Sequence, residues 1–148
     1  MSTPFAKVHH ICIAVHDIDA AIAYYESVGI GPWHDYPPLE EFTTLEVPDA
    51  GGFRKLDYRY AWIGDFQLQL VQPGPEPTPQ RRFLDEHGEG VFHVGFEVPD
   101  ADAADAQAAG LGVAPLMRGR RDNGSGFTYY DTAGKAGVVL EIRQSPPA

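Results

Sequence analysis

The sequence has 148 residues, a formal net charge of −10, 43% hydrophobic residues and a single cysteine. This length suits one compact domain, and the hydrophobic content is ordinary for a soluble globular protein. The negative charge argues against nucleic acid or an anionic membrane surface as a main partner. No apolar run approaches the roughly 20 residues that a membrane helix needs. One cysteine excludes a disulfide framework and fits a reducing compartment, so we expect a cytoplasmic protein without a signal peptide.

The chain contains the same pattern twice. A shift of 83 residues aligns His10 with His93 and Asp17 with Asp100. Each copy is typical of a strand that carries a histidine, followed by an aspartate turn and a short helix ended by glycine. Self-similarity of this kind predicts two copies of one structural unit.

Hydrophobic periodicity and turn residues predict the elements in chain order. The predicted strands cover residues 8–15, a short stretch after Gly31-Pro32, then 56–63, 66–72, 91–98, 114–121, 126–130 and 137–143. The predicted helices cover about 18–28, 80–87 and 101–109. Residues 37–55 are predicted to be the longest irregular stretch, and a loop of that length is either functional or disordered.

The order βαβββ therefore occurs twice. We expect a single domain over residues 1–148, with module one at about 7–73, a proline-rich linker at 74–80 and module two at about 90–144. The predicted class is α+β, with two tandem βαβββ modules that form a cupped, mostly antiparallel sheet around a metal site.

Four predicted strands carry an apolar face and, on the opposite face, a side chain able to bind a metal ion. Those side chains are His10, Gln69, His93 and Glu141. If helices cover the apolar faces, the polar faces of the two halves can close into one cup. Two imidazoles, one carboxylate and one amide oxygen suit a first-row divalent ion with open positions for substrate.

With these motifs in order, the sequence resembles the vicinal oxygen chelate superfamily, closest to its methylmalonyl-CoA epimerase and glyoxalase I branch. The resemblance rests on the paired modules and on His-Ile-Cys-Ile-Ala-Val, Gln-Leu-Gln-Leu-Val-Gln-Pro, His-Val-Gly-Phe-Glu-Val and Val-Val-Leu-Glu-Ile. It implies that His10, Gln69, His93 and Glu141 bind one divalent ion, which would be nickel, cobalt, manganese or zinc.

The resemblance also implies an enzyme that moves a proton next to a metal-bound carbonyl through an enolate, with Glu141 as the base. Returning the proton to the opposite face gives an epimerase, and returning it to the neighbouring carbon gives a glyoxalase-like isomerase or lyase. The substrate would be a small carbonyl compound or a thioester. A second acidic residue of the epimerases has no aligned counterpart here, and Glu40, Glu41 and Glu46 are the candidates.

Two other functions are also compatible with the sequence. An extradiol-type dioxygenase would use iron(II) held by two histidines and one glutamate, a facial triad that this sequence also contains. A metal-free binding or resistance protein is the second, although such members usually lack the complete ligand set. We also expect a homodimer, because exposed sheet edges invite pairing, and we expect Arg118, Arg120 and Arg121 to lie on an exposed edge.

Overall fold

In the computed structural model, the described residues, 2–147, form nine strands and five α-helices. The strands are β1 (Val8–Ala14), β2 (His34–Asp35), β3 (Thr44–Glu46), β4 (Asp57–Ile63), β5 (Phe66–Gln72), β6 (Gly90–Glu97), β7 (Pro115–Arg120), β8 (Gly126–Tyr130) and β9 (Val139–Gln144). The helices are α1 (Ile18–Ser27), α2 (Ala50–Arg54), α3 (Pro79–His87), α4 (Ala101–Gly110) and α5 (Ala133–Ala136).

The strands pair mostly in antiparallel fashion and helices pack on them, which confirms the predicted α+β class. Among the described residues, none of the helices combines the length and apolar character that crossing a bilayer requires. The cytoplasmic location stays a prediction.

Two local expectations were wrong. Residues 37–55 are not a continuous loop, because they contain a 3-10 turn (Leu39–Glu41), strand β3 and helix α2. Asp49 caps the start of α2, because its side chain accepts a hydrogen bond from the backbone amide of Gly52 at 2.7 Å. The adjacent glycines at 51 and 52 favoured an irregular prediction for this stretch. The predicted linker also ends early, since α3 begins at Pro79, where proline suits the first turn of a helix.

The chain divides into two compact units. The first unit comprises His10–Leu39 and Pro48–Phe92. Within it, the strand order is β2-β4-β5-β1, and β1 and β5 run parallel. Helix α1 begins after the cap Asp17 and buries Ile18 against Leu70 of β5 and Val15. Because α1 covers the aliphatic faces of β1 and β5, their other faces remain for polar side chains.

The second unit comprises the residues up to His9, Glu40–Val47 and the chain from His93 onward. Its strand order is β6-β9-β8-β7-β3, and β6 and β9 run parallel. Helix α4 is capped by Asp100 and packs its alanines on Tyr130 and Ile142. The second unit therefore repeats the helix-on-sheet packing of the first, as the internal repeat predicted.

Asp105 of α4 anchors a charged cluster that was not expected from the sequence. Its carboxylate accepts hydrogen bonds from Arg120 at 2.8 Å, Thr128 at 3.1 Å and the Tyr130 hydroxyl at 2.5 Å, and it pairs with Arg118 at 3.2 Å. Arg120 is only 8% exposed, so the expectation of an exposed arginine edge was wrong for this residue. Burial, followed by the bond to Asp105, raises the pKa of the Tyr130 hydroxyl far above its usual range. The cluster ties α4 to β7 and β8.

We predict that Asp105→Ala lowers the free energy of unfolding by about 3 kcal/mol, because it removes the largely buried carboxylate that balances the charge of the buried Arg120. Asp102→Ala is the matched control: Asp102 lies on the same helix and pairs with the same arginine at 3.2 Å, but its side chain is 88% exposed. Its loss should be about 0 to 1 kcal/mol. Urea unfolding of the two variants measures both values, and equal losses would contradict the assignment.

Candidate metal centre

In the first unit, the structure brings two of the predicted ligands onto neighbouring strands. His10 lies on β1 and Gln69 on β5, and the parallel register pairs Cys12 with Gln69 and His10 with Gln67. His10 is 2% exposed and Gln69 is 3% exposed. Strand alternation directs Gln69 away from Leu70, which packs under α1. Both side chains are therefore buried on the face that the helix does not cover.

Gln69 also has a polar neighbour that the sequence analysis did not single out. Its side-chain Nε2 donates a hydrogen bond to Oε1 of Gln67 at 2.6 Å, and Gln67 is 5% exposed. Gln67 and Gln69 lie two residues apart on one strand, so both side chains are on the same face. This spacing is the signal in the sequence that could have identified the pair.

In the second unit, His93 lies on β6 and Glu141 on β9. The parallel register pairs His93 with Val139 and Gly95 with Glu141. The imidazole Nε2 of His93 lies 3.8 Å from Oε2 of Glu141. His93 is fully buried and Glu141 is 5% exposed. The structure thus brings the second predicted pair into proximity within one unit.

The two pairs have the same geometry along the backbone. In each unit, the second ligand lies opposite the residue two positions after the histidine: Gln69 opposite Cys12, and Glu141 opposite Gly95. Each histidine strand runs parallel to the strand that carries its partner ligand. This agreement means that one arrangement of donor side chains is built twice, once by each copy of the repeat.

The electrostatic setting of Glu141 is unfavourable for an isolated carboxylate. Burial raises the pKa of its carboxyl group above the ordinary value, while the charges of His93 and Arg143 and a hydrogen bond from Tyr129 act in the opposite direction. Tyr129 lies opposite Glu141 in the β8–β9 pair, and its ring centroid is 4.7 Å from that of His93. The sequence alone does not identify Tyr129, because its place beside Glu141 depends on the pairing of two strands.

Two of the three candidate glutamates between β2 and α2 pair with arginines. Glu41 pairs with Arg121 at 3.2 Å and Glu46 with Arg118 at 3.4 Å. Both carboxylates are at least half exposed, at 50% and 64%, and Glu40 is exposed as well. These pairs hold the segment on β7, where β3 adds an antiparallel strand. None of the three glutamates has the burial of Glu141.

The donor set fits a divalent cation. Imidazole nitrogens and carboxylate or amide oxygens are the ligands that first-row divalent ions accept, and all four candidates are nearly excluded from water. A buried carboxylate is costly without a compensating positive charge, and an ion beside Glu141 would supply that charge.

The comparisons with known proteins agree with this fold. Residues 9–130 match the model of the glyoxalase/bleomycin resistance protein/dioxygenase superfamily. A methylmalonyl-CoA epimerase variant from Streptomyces coelicolor, solved with 2-nitronate-propionyl-CoA, has a TM-score of 0.75 at 28% identity, over 97% of this chain and 99% of its own. Methylmalonyl-CoA epimerase from Mycobacterium tuberculosis has a TM-score of 0.72 at 23% identity, over 99% and 93%.

A curated relative extends the comparison to sequence. The uncharacterized protein YqjC of Bacillus subtilis is 28% identical over 91 residues, which are 61% of this chain. The chain spans only 56% of the length of that relative.

We predict that Glu141→Gln stabilises the metal-free protein, by about 1 to 3 kcal/mol at pH 8, because the amide has nearly the same shape and no charge to bury. Glu46→Gln is the control, since its exposed carboxylate should contribute less than about 1 kcal/mol. Urea unfolding after chelator treatment measures both. A metal-free Glu141→Gln protein that is less stable than wild type would contradict the account of Glu141.

Proposed function

We propose that this chain, which belongs to the glyoxalase/bleomycin resistance protein/dioxygenase superfamily, is a divalent-metal-dependent isomerase or epimerase. This family is part of the vicinal oxygen chelate superfamily. In this proposal His10, Gln69, His93 and Glu141 hold one divalent ion, and Glu141 moves a proton next to a carbonyl group of the substrate.

The observation that carries the proposal is the spacing of the donor atoms. In the second unit, Nε2 of His93 and Oε2 of Glu141 lie 3.8 Å apart, and both side chains are nearly excluded from water. Two atoms that share one ion at bond lengths of about 2.0–2.2 Å lie within about 4.4 Å of each other. His10 extends the set because it has, in the first copy of the repeat, the position that His93 has in the second. Gln69 extends the set because it occupies, in the repeat, the position that Glu141 has in the other copy.

A bound divalent ion would act as a Lewis acid that stabilises negative charge on a carbonyl oxygen of the substrate. The protein would supply the base. Glu141 would accept the proton from the carbon beside the carbonyl and return it, a contribution that is typically worth about 10²–10⁴-fold in rate. Tyr129 would keep the carboxylate oriented through its hydrogen bond, and the burial of His93 and Glu141 would exclude competing water.

The solved relatives support a carbonyl or thioester substrate. One epimerase structure contains methylmalonyl-CoA and another contains 2-nitronate-propionyl-CoA. We propose a small carbonyl compound or thioester for this chain on that likeness. Epimerisation and glyoxalase-type isomerisation both remain candidates, because both begin with the same proton removal.

A second candidate is an extradiol-type dioxygenase. Two histidines and one glutamate, the residue types of His10, His93 and Glu141, are also the donor set of iron(II) oxygenases. The identity of the bound metal distinguishes it from the first candidate, because proton transfer does not need a redox-active ion. A metal-free binding protein, the third candidate, would bind no ion at all.

We predict about one equivalent of nickel, cobalt, manganese or zinc per chain in the purified protein. His93→Ala and Glu141→Ala should lose most of it, because each removes a ligand. His87→Ala is the control, since this exposed histidine stacks on Phe83 at the end of α3. Elemental mass spectrometry measures the metal, and deuterium exchange from solvent into thioesters and 2-oxo compounds measures the proton transfer.

Different results point to different functions. Iron with oxygen-dependent activity would support the dioxygenase. A wild-type protein that binds no ion even after reconstitution would overturn the metal-dependent proposal. Equal metal content in His87→Ala and His93→Ala would overturn the ligand assignment.

We also propose a homodimer. Several apolar side chains are well exposed in the described chain, including Trp62 at 46%, Ile63 at 47% and Val91 at 44%, and such side chains are often covered by a partner. Sedimentation equilibrium should give about twice the 16.2 kDa mass of the chain. A monomer at micromolar concentration would contradict this prediction.

A further inference from the structure

We propose that Gln67 is a positioning residue that turns the amide of Gln69 so that its carbonyl oxygen, and not its NH₂ group, is presented as a metal ligand. This role rests on the proposed function, because it requires Gln69 to bind the ion. Gln67 is not itself a ligand in this proposal, and it acts only through Gln69.

The argument begins with the two ends of an amide. A carboxylate can bind a cation through either oxygen, whereas a glutamine has one oxygen that can bind and one NH₂ group that cannot. A metal-binding glutamine must therefore have its amide orientation fixed. The Nε2 of Gln69 donates to Oε1 of Gln67 at 2.6 Å. That bond directs the NH₂ group toward Gln67, so the carbonyl oxygen of Gln69 points away from it.

The internal repeat gives an independent reason. The position of Gln67 in the first unit is equivalent to that of Val139 in the second: each lies two residues before a proposed ligand and opposite a proposed histidine ligand. In the second unit this residue is apolar, because either oxygen of Glu141 can bind the ion and no partner is needed to orient the carboxylate. Gln69 has an amide there. The two units therefore differ at this position, and the polar residue is in the unit whose ligand is an amide that must be oriented.

A buried polar side chain destabilises the fold unless it makes a hydrogen bond. Gln67 is 5% exposed, and valine is clearly accepted at the equivalent place in the sheet. An unsatisfied buried amide would destabilise the fold, so its hydrogen bond is part of the arrangement. Outer residues that orient ligands in this way typically affect metal affinity by about 10- to 100-fold.

The test compares three substitutions of one side chain. Gln67→Leu removes the acceptor at similar size, Gln67→Val copies the second unit, and Gln67→Glu keeps an oxygen acceptor for Nε2 of Gln69. Gln72→Leu is a control on the same strand, because Gln72 accepts a hydrogen bond from the Ile18 amide at 2.8 Å and has no place in the proposed ligand set. Cobalt(II) affinity is measured by competition with a chelator, and the visible absorption of the bound cobalt reports its coordination.

We expect Gln67→Leu and Gln67→Val to weaken cobalt binding by about 10- to 100-fold and to shift the cobalt spectrum. Gln67→Glu should retain the wild-type spectrum. Gln72→Leu should leave both affinity and spectrum unchanged, even where it lowers stability. A purely structural role of Gln67 would change stability without changing the spectrum of the bound ion.

A double-mutant cycle separates the two residues. Gln69→Ala removes the ligand, so adding Gln67→Leu to it should cause no further loss of cobalt affinity. Additive losses would overturn the positioning role. So would wild-type affinity and spectrum in both Gln67→Leu and Gln67→Val.

The failure of the positioning role is distinguishable from failure of the proposed function. If wild type binds cobalt and Gln67→Leu binds it equally, only the role of Gln67 is wrong. If wild type binds no divalent ion, the metal-dependent function is wrong, and the role of Gln67 is wrong with it. If Gln67→Leu does not fold, Gln67→Val and the Gln67→Glu spectrum decide the question.

Discussion

The parallel pairing of each histidine strand with its ligand strand is the constraint on which the site depends. The register places Gln69 beside Cys12 and Glu141 beside Gly95, and side chains alternate between the two faces of a sheet. A slip of one residue would move a ligand to the face covered by a helix.

Each ligand strand is also joined to the start of a helix. The side-chain oxygen of Gln72, at the end of β5, accepts a hydrogen bond from the Ile18 amide at the start of α1. In the second unit, Gln144 of β9 accepts one from the Ala101 amide of α4 in the same way. Each bond satisfies an amide at a helix start that would otherwise lack an intrahelical partner. The end of each ligand strand is therefore joined to the helix that covers it.

The repeat is conserved where packing requires it and departs where chemistry does. Asp17 and Asp100 cap equivalent helices, because both helices begin after the same kind of turn. Gln67 and Val139 differ because the ligands beside them differ in symmetry. The Glu40–Val47 segment is also asymmetric: it follows the first β-α pair in sequence but is compact with the second unit, where β3 pairs with β7.

The sequence by itself determined the elements with strong local signals. Strand alternation, aspartate caps and the shift of 83 residues between His10 and His93 are local or repeated features, and they were enough to predict the α+β class. They also identified four buried candidate ligands, since a histidine, a glutamine or a glutamate on an otherwise apolar strand stands out.

Only the tertiary structure decided what depends on distant pairing. Three features join residues that are far apart in the chain or on different elements. They are the pairing of the short strand β3 with β7, the burial of Arg120 against Asp105, and the hydrogen bond from Tyr129 to Glu141. The hydrogen bond between Gln67 and Gln69 is local in sequence, but the sequence does not determine the direction in which each side-chain amide points. Side-chain packing fixed their direction, because burial leaves a polar group only those orientations in which it is hydrogen-bonded.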